Sequence, residues 1–569
     1  MGSTTCSSPR RACGSRCRVG LDSFNKRARP ELFRKLQGEP LDLLVVGGGI
    51  TGASIFRDAA LRGMRAGLVE AKDFASATSG RSSKLIHGGL RYLKNLGLRL
   101  AWESCHERNL HVRLNKRLVR PMPFLVPLYR DRGEPRALMR AGMLLYEGLS
   151  GFRNYRLHRF TSREETLSLA PALPVNGLTG GCLYYDAVVS DNRWTVETVK
   201  DGVRHGGVAV NYAPLTGLLK EGGRVVGGCV RDELGGLRYE VRARTVVNAT
   251  GVFADRIRRM DDPGAARLVR LSKGTHLVFA EEDVPLSVTI VFSSPLDGRS
   301  LFLAKHDGCF LYGTSDDWEE GDPSAPVPAR KDVEYLLSTL DRFMPEAGLD
   351  REKVRFVYSG FRPLLCPEDG HLDPASASRE DHIEVSPSGL VSVVGGKLTT
   401  ARIMASRVLE QVIERVGGAD PWSACRTHEL SIGGTNEAVA EGLAYWVKRY
   451  PRLAWYFEIL YQRYGLDAHV ICAEAMAIHK GLDPDPRAEP LRAEVRYVCR
   501  NEMVCTLEDL LERRAGFLYW DAEHRLERAR YGARVIRAEL DLTESEFEYQ
   551  FATYREHLAR FHSLPGSAP

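Results

Sequence analysis

The chain has 569 residues, 43% of them apolar and 27% charged, with a formal net charge of +6. That length is too great for one hydrophobic core and predicts two or three domains of an ordinary soluble protein. The small net charge carries no footprint for nucleic acid, and no apolar run reaches the roughly 18 residues of a membrane span, so membrane contact has to be peripheral.

Residues 1–37 differ from the rest, with nine Lys or Arg against two acids and three cysteines before Arg18. They read as a disordered basic tail, residues 1–38, whose removal leaves the remainder intact. The alternative is a mitochondrial-type presequence, since the stretch is basic, contains serine and is poor in acids; the missing apolar core argues against a secretory signal. The twelve cysteines show no C-x-x-C pair and no metal-type spacing. Cys182, Cys229, Cys309 and Cys472 sit among apolar residues and read as small core side chains in a reducing compartment.

Leu43-Leu44-Val45-Val46 is apolar on both faces, as in a strand buried within a parallel sheet. Gly47, Gly49 and Gly52 follow as G-x-G-x-x-G, residues 53–62 carry helical spacing, and residues 66–69 read as a second strand closed by Glu70. Gly47 permits the tight turn, Gly49 the approach of a pyrophosphate, and Gly52 close packing of helix on strand. The phosphates belong at the helix N-terminus and Glu70 on a ribose. This order predicts a dinucleotide site; Glu70 disfavours NADP without separating NAD from FAD.

Residues 74–95, FASATSGRSSKLIHGGLRYLKN, place Thr78, Ser79, Ser82 and Ser83 beside a charged cluster of Lys84, His87, Arg91 and Tyr92. G-G-G-I-T-G-A together with S-S-K-L-I-H-G-G-L-R-Y-L resembles the FAD-dependent glycerol-3-phosphate dehydrogenase family, and the likeness extends over about residues 40–540. Residues 138–146, flanked by Arg136 and Arg140, form an amphipathic pattern that reads as a core helix with a solvated basic face, or else as a segment lying in a membrane interface. Leu183 to Ser190, Val208 to Tyr212 and a hairpin over 225–244 read as strands. Thr245 to Gly251 ends a further buried strand in A-T-G, which resembles two-part FAD domains. Residues 271–315 alternate as β structure separate from that core, and carry K-G-T-H and G-T-S-D, both similar to family motifs. Relatives tend to have Pro-Trp where this chain has Lys305-His306. S-G-F-R-P-L at 359–364 also matches, and Gly395-Gly396-Lys397-Leu398-Thr399-Thr400 precedes a helix to about Val416 whose positive end suits a flavin. Residues 425–560 are helical by pattern, with Glu508, Glu512, Arg513 and Arg514 read as a solvated face.

The expected fold is α/β: a Rossmann-like FAD-binding domain (39–120, 180–265 and 355–420), an antiparallel β cap over the substrate (121–179 and 266–354) and a C-terminal α-helical domain (421–560). The resemblance implies oxidation of sn-glycerol 3-phosphate to dihydroxyacetone phosphate by hydride transfer from C2 to FAD, with electrons passed to the quinone pool. It places Gly47, Gly49, Ile50, Thr51, Gly52, Glu70, Thr78, Ser79, Ser82, Ser83, Leu85, His87, Gly88, Thr250, Gly251, Lys397, Leu398 and Thr399 around FAD. Arg91, Tyr92, His276, Arg362 and Lys397 are expected on the substrate, with His276, Arg362, Arg91 and Lys397 in catalysis and either His276 or His87 as base. The implied partners are glycerol 3-phosphate, the quinone pool, the inner-membrane surface met from the cytoplasm, and a second copy of the chain, but no metal. An oxidase passing electrons to oxygen, a flavin monooxygenase, and an inactive relative serving as sensor or scaffold are the rival readings.

Overall fold

The computed structural model describes residues 24–90, 93, 97–366, 374, 377–416, 422–479, 489–515 and 522–566. Its centre is the strand Leu41–Val46, every residue of which is buried. It pairs in parallel with Ala66–Val69 on one side and Arg238–Asn248 on the other. Val208–Val210 extends the sheet beyond the first neighbour and Val391–Gly395 beyond the second, both parallel. Burial on both faces follows from the all-apolar strands and from the helix Ile50–Leu61, which packs against Asp191–Arg204 and Ala401–Val416. The predicted hairpin is present as Arg224–Arg231 against Arg238–Asn248.

A second sheet of ten strands stands beside this one. Its longest pairing joins Val269–Ala280 to Val354–Leu365, antiparallel throughout, so that His276 lies opposite Tyr358 and Ser272 opposite Arg362. Two expected boundaries move here. Residues 180–189 and 355–365, expected in the nucleotide domain, belong to the second sheet as parts of the strands Leu178–Val189 and Val354–Leu365, the former pairing along its length with Val119–Tyr129. Continuous apolar runs show that a strand is buried, not which sheet buries it.

The N-terminal expectation is corrected for the part the structure describes; residues 1–23 lie outside it. Residues 29–37 form the helix Arg29–Gln37, with Leu32, Phe33 and Leu36 in the core of the nucleotide sheet. Phe33 stacks on Tyr239 with ring centroids 4.4 Å apart, and buried Arg29 donates to the Asn211 carbonyl at 2.7 Å. A basic, short sequence hid three core residues at helical spacing. Compared with a chain lacking residues 1–23, one lacking 1–37 therefore loses the burial of Phe33, alone worth about 3 kcal/mol or more, and has a lower melting temperature and flavin content. Comparable melting curves for the two truncations would show that this helix contributes nothing.

The C-terminal helices run from Asn436–Arg449 to Glu544–Phe561. Here too a solvated face proves to be interior. The turn Asp509–Arg514 is buried throughout, and Arg514 makes two 2.8 Å hydrogen bonds to Asp73 while Arg513 adds a third at 2.6 Å. Asp73 follows the second nucleotide strand, so this cluster joins the helical domain to the cofactor domain. A parallel link runs through the buried helix Asp191–Arg204, where Arg193 and Lys200 both pair with Glu502. Of the cysteines expected in the core, Cys182, Cys309 and Cys472 are buried and Cys229 is half-buried; the described cysteines are free thiols.

Candidate functional site

Two cavities meet beneath the second sheet. The first, of about 330 Å³, opens over Gly47, Gly49, Thr51, Glu70, Thr250 and Gly251. The second, of about 220 Å³, is walled by Ser83, His87, His276, Asp316, Arg362 and Arg379. Ile50, Thr78, Ser79, Arg81, Phe361, Pro363, Gly396, Lys397 and Leu398 line both, so they form one elongated slot.

The first end is shaped by missing side chains. Gly47 has φ +109°, and a Cβ there would stand 2.6 Å from the Ala249 carbonyl oxygen. A Cβ on Gly52 would meet the Gly47 carbonyl oxygen at 1.9 Å, so even alanine is excluded at that helix–turn contact. Gly49 caps the helix Ile50–Leu61, and the Ile50 N–H donates to Ser79 Oγ at 2.8 Å. Glu70 accepts from the N–H of Gly48 at 2.6 Å and of Lys72 at 2.9 Å. Burial raises its carboxyl pKa and these N–H groups pull it back, so the acid braces the glycine turn as well as facing the cleft. This glycine cradle at a helix N-terminus, continued by a second cavity that shares its lining, fits FAD.

The second end is a cation-lined chamber. Arg81, Arg362, Arg379 and Lys397 line it against a single carboxylate, Asp316, among the described residues. Arg362 donates to Asp316 at 3.0 Å, Ser272 Oγ at 3.1 Å and Thr314 Oγ1 at 3.0 Å, which spreads and fixes the guanidinium plane. Arg379 reaches the other oxygen of Asp316 at 3.1 Å. His276 stacks on Tyr358, with ring centroids 4.7 Å apart, and its Nε2 pairs with Ser83 Oγ at 2.9 Å. Burial, then the charges of Arg362 and Lys84, push its pKa down to about 3, so the imidazole is neutral. Lys397 is held by Ser104 Oγ.

The structure gathers most of the expected site and relocates some of it. Gly47, Gly49, Ile50, Thr51, Glu70, Thr78, Ser79, Ser82, Ser83, Leu85, His87, Thr250, Gly251, Lys397, Leu398 and Thr399 border the slot, as do His276 and Arg362. Gly52 and Gly88 border neither cavity: Gly52 packs behind the turn, and a Cβ on Gly88 would strike the Tyr146 hydroxyl at 2.3 Å. Arg91 and Tyr92 lie outside the described residues. Lys84, part of the charged cluster, is 1% exposed in an ion pair with Asp191 and serves the interior. The Lys305-His306 departure falls away from the chamber, since Lys305 pairs with Glu281 and His306 Nε2 meets the Val189 carbonyl at 3.2 Å. Asp316 and Arg81 went unassigned although they lie inside G-T-S-D and the serine-rich stretch. Arg379 had no signal at all, since it stands in a segment with no periodicity.

The expected core helix with a basic solvated face takes a different form. In Arg136–Leu149, Met143 and Tyr146 are buried, while Leu138, Leu144 and Leu145 are 57%, 52% and 45% exposed. Phe152, Tyr155 and Leu157 continue this exposed apolar surface. Arg136 and Arg140 lie over the Phe160 ring at its border. Among the described residues no helix is long and apolar enough to cross a membrane.

The FAD dependent oxidoreductase family matches residues 42–407, and the C-terminal domain of alpha-glycerophosphate oxidase matches residues 425–547. The chain is 34% identical over 543 residues to glycerol-3-phosphate dehydrogenase 2 of Mycobacterium tuberculosis, covering 92% of this chain and 89% of that protein. It is 32% identical over 516 residues to the aerobic glycerol-3-phosphate dehydrogenase of Bacillus subtilis, covering 88% and 91%. The crystal structure of the Bacillus halodurans glycerol-3-phosphate dehydrogenase complexed with FAD superposes with a TM-score of 0.79 at 27% identity, covering 96% of this chain and all of that one. With the glycine cradle, the two sheets and the helical domain all matched, the chain belongs to the glycerol-3-phosphate dehydrogenases of the FAD-dependent oxidoreductase family.

Proposed function

We propose that the protein oxidises sn-glycerol 3-phosphate at C2 to dihydroxyacetone phosphate and passes the electrons to a membrane quinone. The observation that carries this reading is the chamber, lined among the described residues by four cations and one carboxylate, at the far end of the slot from the glycine cradle. A phosphate dianion needs such a surplus of positive charge, and a planar guanidinium held in one plane by fixed partners suits its oxygens better than a point charge does. FAD, when bound, supplies the hydride acceptor. Arg362 and Arg379 hold the phosphate. His276 takes the C2 hydroxyl proton at Nε2, beside Ser83 Oγ. Burial, with the charges of Arg362 and Lys84, keeps this imidazole neutral and so able to accept a proton, and Arg362, which lines the chamber, stabilises the alkoxide that forms as the proton leaves. The apolar surface of Leu138, Leu144, Leu145 and Phe152, bordered by Arg136 and Arg140, rests on the cytoplasmic face of the inner membrane.

Anaerobic addition of glycerol 3-phosphate bleaches the flavin bands, and reoxidation by a soluble quinone analogue outpaces reoxidation by oxygen. Stoichiometric peroxide in air would instead make the protein an oxidase. Failure to bleach would remove the substrate altogether. Vesicles of anionic lipid sediment the protein, and Leu144→Asp with Leu145→Asp abolishes sedimentation without affecting bleaching.

The base has its own test. His276→Asn slows bleaching by about 100-fold or more, the usual contribution of a positioned base, while His87→Asn retains most of the rate. The reverse pattern would transfer the role to His87.

A further inference from the structure

Away from the slot, Glu512, His557 and His562 bring one ligand atom each to within 4.8 Å of one another. Glu512 belongs to the turn Asp509–Arg514, His557 to the last helix, Glu544–Phe561, and His562 caps that helix. The two imidazole centroids are 5.3 Å apart. His562 Nδ1 lies 3.2 Å from the Val357 carbonyl oxygen, which can only accept, so that nitrogen carries the hydrogen. The lone pair is then on Nε2, 3.9 Å from Glu512 Oε1. An imidazole held through its far nitrogen by a carbonyl is oriented as metal ligands are. Glu512 Oε1 is fixed in turn by the Tyr554 hydroxyl at 2.8 Å. A void of about 20 Å³ is lined by all three residues, enough for one ion or one water.

The charge around the void permits a cation. Arg513 also lines it, but its guanidinium is taken up by Asp73, Glu508 and Asp509. Arg81 lines it too, with its guanidinium over the Phe561 ring. Glu508 adds a second carboxylate, 3.8 Å from His557 Nδ1. Two imidazole nitrogens and a carboxylate suit zinc and its neighbours among the transition metals, with water as fourth ligand; magnesium and calcium prefer oxygen alone.

We propose that Glu512, His557 and His562 bind one divalent transition-metal ion of the zinc class, which clamps the last helix to the turn Asp509–Arg514. Ligand atoms around tetrahedral zinc stand roughly 3.4 Å apart, so the side chains close by about 1 Å on binding. His557 is the least buried of the three.

The test uses FAD-loaded protein treated with EDTA and desalted. In equilibrium dialysis against micromolar zinc it retains one equivalent, and its melting temperature rises by about 3 °C or more. Magnesium produces no shift. Glu512→Gln weakens zinc binding at least about tenfold, and His557→Ala, at a partly exposed position that leaves the fold and flavin content intact, abolishes both the equivalent and the shift. Zinc retained equally by wild type and His557→Ala would place it elsewhere, on exposed Cys366 for example, and overturn the proposal. So would the absence of any stoichiometric binding at tens of micromolar zinc. Metal content and melting are read without turnover, so neither result depends on the substrate.

Discussion

Arg362→Lys lowers kcat/KM for glycerol 3-phosphate at least about thirtyfold and leaves FAD content unchanged. The native guanidinium divides its donors among Asp316, Ser272 and Thr314 and so holds one plane across the chamber. An ammonium keeps the charge but is a point donor on a flexible stem and cannot reproduce that fork. Losing one hydrogen bond to a charged group costs on the order of 2 kcal/mol, which is the stated factor in rate. Flavin content holds because the nucleotide end of the slot is built from other residues, Gly47, Glu70 and Thr250 among them. Flavin occupancy and the rate of anaerobic bleaching, measured side by side, check both halves. Wild-type bleaching would remove Arg362 from substrate binding, and loss of flavin would make its role structural.

Asp73→Ala costs about 3–5 kcal/mol of stability, the largest effect on folding expected here. Arg513 and Arg514 are buried around this carboxylate, and Asn211 Nδ2 also donates to it at 2.9 Å. Removing it leaves two guanidiniums in the interior without their shared partner. Burial opposes ionisation of Asp73, but Arg514 and then Arg513 outweigh it and hold its pKa below the usual value. The sign of the pH effect follows. Its contribution is complete above about pH 4, where the unfolded carboxyl is also ionised, and is lost as pH falls through the lower folded value. Thermal melting at neutral pH should show Asp73→Ala far below wild type, with the gap narrowing toward pH 2. An unchanged melting temperature would mean that the two arginines find other partners at no cost.

The cofactor end of the protein was legible because its sequence signals are local. Gly47, Gly49, Gly52 and Glu70 act within one strand–turn–helix–strand unit, and each is explained by sterics or a hydrogen bond inside it. The substrate end was partly legible, since His276 and Arg362 sit in β stretches with distinctive neighbours. Their arrangement was not, because Arg362 and Arg379 meet on Asp316 across gaps of 46 and 63 positions that no periodicity spans. The same limit explains Arg513, Arg514 and the helix Arg29–Gln37. Charged residues read as solvated when nothing nearby neutralises them, yet the partner of Arg514 lies 441 residues away. Local pattern records the polarity of a face; tertiary pairing decides whether that face meets water.

The order of strands in the nucleotide sheet sets a schedule for biosynthesis. Leu41–Val46, made early, finds one neighbour in Arg238–Asn248 and the next beyond it in Val391–Gly395. Until that last strand and Gly396–Leu398 have emerged, the floor of the slot has no far wall. At roughly 5–20 residues per second, the nascent chain spends on the order of a minute with its glycine turn exposed and incomplete. Flavin capture is therefore a late event on the ribosome or after release, and cells short of flavin should accumulate a full-length, protease-sensitive apoprotein rather than truncated fragments.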